Sequence, residues 1–222
     1  ALEIMDGTMM RAIEASVHAG YPPDAEAALL VEVDGYSEGL DEMSAEIQAL
    51  CRQNGAREIR MAVTADERMA LWRGRKSAFG AMGRIAPSYY IQDGVVPRSR
   101  LPDVLRYVGE VGQRHGITIA NVLHAGDGNL HPLVAFDPRQ PGVIKTVRAA
   151  SAEILQKCVD LGGAITGEHG VGLEKQDFMR WSYSEDDLSP MRGLKAAFDQ
   201  RGLLNPGKMF PGAKEETDRQ KA

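Results

Sequence analysis

Residues 124–131 read His-Ala-Gly-Asp-Gly-Asn-Leu-His and join two apolar stretches. An Asp-Gly pair between such stretches is typical of a tight turn that reverses two strands. A turn centred on Asp127 and Gly128 predicts that His124 and His131 lie directly opposite each other. Opposed residues on paired strands have Cβ atoms about 4.5–5.5 Å apart, so both imidazoles can reach one metal ion.

A second glycine-rich stretch, residues 162–172, is expected to supply the third ligand. It contains Glu168 directly before His169. With a carboxylate oxygen from Glu168, the set of two histidines and one carboxylate leaves coordination positions open and suits Zn²⁺, Fe²⁺ or Mn²⁺. The alternative interpretation is that these polar residues only form tight glycine-rich turns.

Length and composition limit the class of protein. A chain of 222 residues can bury a substantial core, and we predict one large domain. The net charge of -5 and the scattered cations predict no nucleic-acid binding. Cys51 and Cys158 form no CxxC pair, which fits a reducing cytosol. No stretch approaches the roughly 18 apolar residues needed to cross a bilayer, so we expect a cytoplasmic protein without a transmembrane segment.

The order of predicted elements favours an α+β fold. Apolar periodicity predicts helices near residues 7–18, 44–54, 65–82, 101–115, 143–161 and 190–198. It predicts strands near residues 1–5, 28–33, 58–63, 89–95, 118–124, 130–136 and 164–166. Short strands and hairpin signals favour a mainly antiparallel sheet with helices packed on one side, with ferredoxin-like elements, over a parallel Rossmann sheet.

The sequence lacks the glycine-rich loops that usually hold nucleotides. Neither GxGxxG nor GxxxxGK[ST] follows a predicted strand, so any nucleotide cofactor is expected to be held elsewhere. The chain begins without Met, directly in a predicted strand, which indicates an excised part of a longer protein. Residues 212–222 are polar and charged, and we predict a disordered tail there.

Three ordered motifs resemble the C-terminal half of FAD-linked 2-hydroxy-acid oxidases, members of the vanillyl-alcohol-oxidase superfamily. They are residues 124–131, residues 167–172 (Gly-Glu-His-Gly-Val-Gly) and residues 204–208 (Leu-Asn-Pro-Gly-Lys). Together with residues 71–76 and 89–94, they are most similar to the FAD-binding subunits of bacterial glycolate oxidases. The resemblance implies that residues 1–211 form a substrate- and metal-binding domain. It also implies that the N-terminal FAD-binding domain is absent from this chain.

The resemblance also implies roles for individual residues. In the family, the residues that match His124, His131 and Glu168 hold a divalent metal, and the one that matches His169 acts as the base. The residue that matches Arg75 binds the substrate carboxylate. A guanidinium supplies a bidentate fork for this purpose, although a solvated helix cation is the alternative interpretation.

Three further residues complete the predicted site, each with a simpler alternative. Asn129 is predicted to contact substrate, but an Asn in a turn often only tolerates an unusual φ. Lys175 is predicted to add positive charge beside the substrate, and a plain surface lysine is the alternative. Asn205 is predicted to face the flavin domain, and a terminal turn is the alternative.

The resemblance implies that this chain is the substrate- and metal-binding part of an FAD-dependent 2-hydroxy-acid dehydrogenase that oxidises glycolate to glyoxylate with hydride transfer to FAD. Phe79 and Ile91 stand where hydroxyglutarate enzymes have a hydroxyl residue and a lysine, which favours a small monocarboxylate. This chain alone is expected to be inactive. Electrons are expected to leave through partner subunits, including an iron–sulfur subunit, and the partner subunits are expected to bring the cytoplasmic protein to the periphery of the inner membrane. The alternatives are a D-lactate dehydrogenase and, in another class, a metallohydrolase or a non-catalytic metal-binding module.

Overall fold

The sheet is built outward from the predicted hairpin. In the computed structural model, which describes residues 1–212, the central pair is β5 (Ile119–His124) and β6 (Asn129–Phe136). The other strands are β1 (Leu2–Asp6), β2 (Ala27–Val31), β3 (Ser88–Ile91) and β4 (Gly94–Val95). The strand order is β2-β1-β5-β6-β3, β4 also pairs with β6, and every pairing is antiparallel. The predicted α+β class with a mainly antiparallel sheet is confirmed.

Seven α-helices occur within residues 1–212. They are α1 (Gly7–Val17), α2 (Leu40–Gln53), α3 (Ala65–Ala81), α4 (Leu101–His115), α5 (Val143–Asp160), α6 (Met179–Ser182) and α7 (Glu185–Phe198). Helix α7 begins before the predicted start at Pro190, because Ser184 and Asp187 form a capping box upstream of the proline. None of the helices in this part of the chain is long and apolar enough to cross a bilayer.

Helices cover both faces of the sheet, so the prediction that they pack on one side is wrong. Helices α1 and α3 cover one face, where Met10 and Ala78 pack with Val122 and Leu133. Helices α4 and α5 lie on the opposite face, which carries Leu123. Burial on both sides explains why β5 and β6 are buried along most of their length and lack a clean apolar–polar alternation.

The hairpin pairs in a different register from the one predicted. His124 lies opposite Asn129, and His131 lies opposite Val122, so the two histidines are diagonal neighbours. The prediction of direct opposition is therefore wrong. Side chains alternate between the faces of a strand, and a displacement of two residues keeps a side chain on its original face. Both imidazoles consequently remain on the face covered by α1 and α3, with ring centroids 5.2 Å apart.

The register follows from a four-residue turn in place of the expected two-residue turn. The N–H of Asp127 donates to the carbonyl of His124, and Gly128 then adopts φ 74° to return the chain into β6. A Cβ on Gly128 would overlap the carbonyl oxygen of Val96, which lies beside the turn. Gly128 is therefore required both for the left-handed backbone and for this close approach.

Three predicted strands differ in the structure. Residues 58–63 form no strand. They line a cavity together with β2 but do not pair with it, and Met61 and Val63 are exposed. The predicted strand 89–95 is divided into β3 and β4, and residues 164–166 contribute only a bridge to Val95. Residues 213–222, nearly all of the predicted tail, lie outside the described residues.

Substitution of Gly128 by alanine tests the turn. We expect Gly128→Ala to lower the free energy of unfolding by about 1–2 kcal/mol for the left-handed backbone. Displacement of the Val96 carbonyl should cost about 1–3 kcal/mol more. Gly142 is the matched control, because its φ is 79° and a Cβ there meets no atom within 4 Å. Urea denaturation that gives equal losses for Gly128→Ala and Gly142→Ala would contradict the close approach.

Candidate metal centre

Two histidines from the hairpin and one glutamate from a distant loop converge on one point. His131 Nε2 lies 2.9 Å from Glu168 Oε1, and His124 Nε2 lies 3.6 Å from the same oxygen. One ligand atom from each of these three residues lies within 4.8 Å of the other two. The structure therefore brings the predicted metal ligands together, although Glu168 lies 44 positions after His124 in the sequence.

His131 is the buried member of the set. Its side chain is 1% exposed, whereas that of Glu168 is 51% exposed. Burial lowers the pKa of His131, and the neighbouring Glu168 carboxylate opposes that shift. A neutral imidazole is the form that binds a metal. Phe79 follows Arg75 by one helical turn. The centroid of its ring lies 6.4 Å from that of the His131 ring, so Phe79 forms part of the apolar surroundings of His131.

His169 lies beside the predicted metal ligands and is more exposed than His131. Its ring stacks on that of His131 with centroids 5.0 Å apart and planes 9° from parallel. His169 Nε2 is 3.7 Å from Glu168 Oε1, and 43% of the side chain is exposed. The predicted base therefore adjoins the metal ligands and keeps access to a molecule that arrives from outside.

The loop that carries Glu168 and His169 is held by Asp93, which the sequence analysis did not single out. The Asp93 carboxylate accepts hydrogen bonds from the backbone N–H groups of Gly167, Glu168 and His169 and from the hydroxyl of Thr166. Burial raises the pKa of Asp93, but these hydrogen bonds and the charge of Lys175 outweigh it and hold that pKa well below its usual value. The signal in the sequence was an Asp within the predicted strand 89–95.

Lys175 lies in the interior instead of on the surface. Its ammonium donates to the backbone carbonyl of Asp93 at 2.8 Å and lies 3.2 Å from the Asp93 carboxylate. The alternative of a plain surface lysine is therefore wrong, because only 4% of Lys175 is exposed. Its predicted contact with substrate stays a prediction, and the structure gives it the additional task of neutralising Asp93.

Asp93 also lies close enough to His131 and His169 to form a second possible ligand group. However, both of its oxygens already accept hydrogen bonds from the 166–169 loop. Within residues 1–212, the oxygens of Glu168 accept no comparable set of backbone hydrogen bonds, and the Glu168 side chain is more exposed than that of Asp93. The group that contains Glu168 is therefore the better metal site.

Asn129 and Asn205 occupy different surroundings. Asn129 is buried opposite His124, and its Oδ1 has no hydrogen-bond partner within the described part of the chain. A Cβ on Gly167 would lie 2.6 Å from the Asn129 side chain, so glycine lets the loop approach this amide closely. Asn205 is exposed on a turn with φ 47°, as the terminal-turn alternative predicts, and its contact with a flavin stays a prediction.

Arg75 is buried against a partner that the sequence analysis did not identify. Its Nε and Nη2 both lie 2.9 Å from Oε2 of Glu3, while Oε1 of Glu3 lies 2.8 Å from Nδ1 of His124. The alternative of a solvated helix cation is wrong, because only 7% of Arg75 is exposed. Its contact with a substrate carboxylate stays a prediction.

Comparison with protein families adds independent information. The profile described as "FAD linked oxidases, C-terminal domain" matches residues 1–209. The chain is 45% identical over 210 residues to glycolate oxidase subunit GlcD of Escherichia coli K12, covering 95% of this chain and 42% of that protein. It is 30% identical to the mitochondrial D-lactate dehydrogenase [cytochrome] of Kluyveromyces lactis, covering 95% of this chain and 37% of that protein.

A solved structure shows the same fold. The structure of 4-ethylphenol oxidase from Gulosibacter chungangensis superposes with a TM-score of 0.66 at 15% identity, covering 95% of this chain and 47% of that one. At this identity the likeness concerns the fold alone. The chain thus spans less than half the length of each of these proteins.

Substitution of Asp93 tests the anchor of the ligand loop. Asp93→Asn leaves Lys175 as an uncompensated buried charge, and breaking a buried pair in this way typically costs about 3–5 kcal/mol. Because the folded pKa of Asp93 is depressed, its stabilisation is present above the usual Asp value and is lost as the pH falls towards the folded value. Denaturation near pH 7 should therefore show a large loss. Asp137→Asn, at an exposed pair with Arg139, is the control, and an equal small effect of both variants would contradict the anchor.

Proposed function

This chain belongs to the family of FAD-linked oxidases, C-terminal domain, and we propose that it is the substrate- and metal-binding part of an FAD-dependent 2-hydroxy-acid dehydrogenase that oxidises glycolate to glyoxylate. Residues 1–211 are the proposed domain. The observation that carries the proposal is the convergence of His124, His131 and Glu168 beside the exposed imidazole of His169.

The donor set fits a divalent metal. Two imidazole Nε2 atoms and one carboxylate oxygen suit Zn²⁺, Fe²⁺ or Mn²⁺ and leave positions free for a substrate. The unpartnered Oδ1 of Asn129 beside His124 adds a buried polar atom that a ligand can satisfy. A metal of this kind polarises a bound hydroxyl group and lowers its pKa.

His169 is the proposed general base. Glycolate oxidation removes the hydroxyl proton and a hydride from the carbon that bears it. Neutral His169 Nε2 accepts that proton, and its exposure lets a small acid reach it. Stacking on His131 and the anchor at Asp93 fix the orientation of the imidazole. Bound FAD supplies the hydride acceptor.

FAD is proposed to be held mainly by an N-terminal FAD-binding domain, because this chain has no glycine-rich phosphate loop after a strand. The contribution of this chain is proposed to be Asn205, which is exposed on its turn. Arg75, Asn129 and Lys175 are the proposed polar partners of the substrate. The chain without the FAD-binding domain is proposed to be inactive.

The name of one relative supports the proposed partner subunits. GlcD is named a subunit of glycolate oxidase, so we propose partner subunits for this protein, including an iron–sulfur subunit that receives electrons. A cytoplasmic location, with contact to the inner membrane through those subunits, completes the proposal.

The second candidate function is oxidation of D-lactate, because D-lactate dehydrogenases match 95% of this chain. Oxidation of D-lactate ranks below oxidation of glycolate, because the chain is 45% identical to GlcD and 30% identical to the D-lactate dehydrogenase of Kluyveromyces lactis. The match to a family of FAD-linked oxidases favours both oxidoreductase functions over a metallohydrolase or a non-catalytic metal-binding module.

Flavin reduction separates the two substrates. Full-length protein that includes the proposed FAD-binding domain is loaded with FAD and metal and mixed anaerobically with glycolate or D-lactate, and bleaching of the flavin is followed in a single turnover. We expect faster reduction by glycolate. Faster reduction by D-lactate would move the assignment to the second candidate, and reduction by neither acid would overturn the proposal.

Substitution of the base should affect the chemical step and spare the metal. His169→Ala is expected to reduce the flavin about 10²–10⁴-fold more slowly at saturating glycolate, the usual contribution of a general base. Metal content should remain that of the wild type. His115→Ala is the control, since His115 pairs with Glu153 at 2.7 Å outside this site. Flavin reduction at the wild-type rate in His169→Ala would remove the base from the proposal.

Loss of a ligand should release the metal. After reconstitution with Zn²⁺, elemental analysis of the wild-type chain should find about one ion, and His124→Ala and His131→Ala should lose most of it. The loss of affinity should exceed the roughly 10–100-fold effect that is typical when only a group behind a ligand is changed. His115→Ala should keep its metal. Undiminished metal in both site variants would contradict the ligand assignment.

A further inference from the structure

We propose that Glu3 and Arg75 are a positioning pair for His124. In this arrangement Glu3 fixes the tautomer and orientation in which His124 Nε2 binds a metal, and Arg75 fixes Glu3. The inference rests on the metal site proposed above and gives Arg75 a second task besides its proposed contact with substrate.

The contacts divide the Glu3 carboxylate between two partners. Oε1 lies 2.8 Å from Nδ1 of His124, and Oε2 accepts a hydrogen bond from Arg75 Nε at 2.9 Å and lies 2.9 Å from Arg75 Nη2. Glu3 in β1 lies directly opposite His124 in β5. Both charged residues of the pair are buried, with 6% of Glu3 and 7% of Arg75 exposed.

This arrangement decides which nitrogen of His124 can bind a metal. A carboxylate oxygen only accepts, so Glu3 Oε1 requires a proton on His124 Nδ1. The lone pair is then on Nε2, which is the nitrogen that faces Glu168 at 3.6 Å. A carboxylate behind a metal-binding imidazole fixes its tautomer and ring orientation and raises its basicity.

Arg75 holds the carboxylate from the other side. The guanidinium is a planar fork, and two of its nitrogens already contact Glu3 Oε2. A buried ion pair contributes little net stability compared with apolar residues of similar size, because both charges lose their hydration. Net stability therefore does not explain why the two charges are buried, whereas their contact with His124, a proposed metal ligand, does.

Glu3→Gln tests the tautomer directly. Arg75 only donates, so it draws the amide oxygen towards itself and turns the amide N–H₂ towards His124. Nδ1 must then accept, the proton moves to Nε2, and the metal loses this ligand. Addition of Arg75→Met removes the guanidinium that holds the amide oxygen, so the amide can rotate and present this oxygen to His124. The double variant should therefore recover affinity that Glu3→Gln alone has lost.

The experiment measures Co²⁺ binding to the full chain by calorimetry and by the visible absorption of the bound ion. We expect Glu3→Gln to weaken binding about 10–100-fold, the usual effect of changing a group behind a metal ligand. The double variant Glu3→Gln/Arg75→Met should bind at least several-fold more tightly than Glu3→Gln. Glu3→Asp retains the charge and shortens the reach, so it should also weaken binding, and it replaces Glu3→Gln if that variant does not fold.

Asp6→Asn is the matched control. Asp6 is also a carboxylate on β1 and is partly buried, but it accepts hydrogen bonds from Met9 and Asn121 and, within residues 1–212, from none of the proposed ligands. We expect Asp6→Asn to lower stability and leave Co²⁺ affinity unchanged. A purely structural role of Glu3 predicts the same behaviour for Glu3→Gln and no recovery in the double variant.

His131→Ala separates failure of this inference from failure of the metal site. If His131→Ala loses Co²⁺ while Glu3→Gln binds like the wild type, the positioning pair is overturned and the metal site stands. A double variant that binds no better than Glu3→Gln also overturns the pair. If the wild type binds no more Co²⁺ than His131→Ala, the metal site is overturned and the pair with it.

Discussion

The antiparallel pairing of β5 with β1 and β6 is the constraint on which the site depends. Because side chains alternate along each strand, this pairing places Glu3, His124, Asn129 and His131 on one face of the sheet. Helix α3 covers that face and brings Arg75 to it. Polar groups from three strands and one helix thus meet at a position that backbone hydrogen bonds define, and little side-chain movement is needed to form the site.

The other half of the site depends on a single carboxylate. Glu168 and His169 lie on a loop with no regular secondary structure. Asp93, which lies between β3 and β4, accepts hydrogen bonds from the backbone N–H groups of that loop. The positive charge of Lys175 compensates the buried negative charge of Asp93. Residues on an irregular loop are in this way held in a defined position, as the proposed placement of a base beside a metal requires.

The sequence predicted the parts of the site that are local in the chain. The turn signal at 127–128 and the Glu-His motif pointed to three residues that the fold brings together, and the two-residue period of a strand kept both histidines on one face although the register was wrong. The partners of Arg75 and Lys175 could not be predicted, because Glu3 is 72 residues from Arg75 and Asp93 is 82 residues from Lys175. Residues 58–63 have strand-like alternation, but pairing depends on a neighbouring strand that local patterns do not reveal.

The unpaired course of residues 58–63 has a consequence for the behaviour of the chain in solution. Within residues 1–212, β2 pairs only with β1, so its outer edge has no strand partner, and Leu29 on this strand is half exposed. An apolar edge strand of this kind is a template for a strand from another molecule. Self-association at high concentration should therefore begin at β2, and a lysine in place of Leu29 is the substitution by which natural sheets usually prevent it.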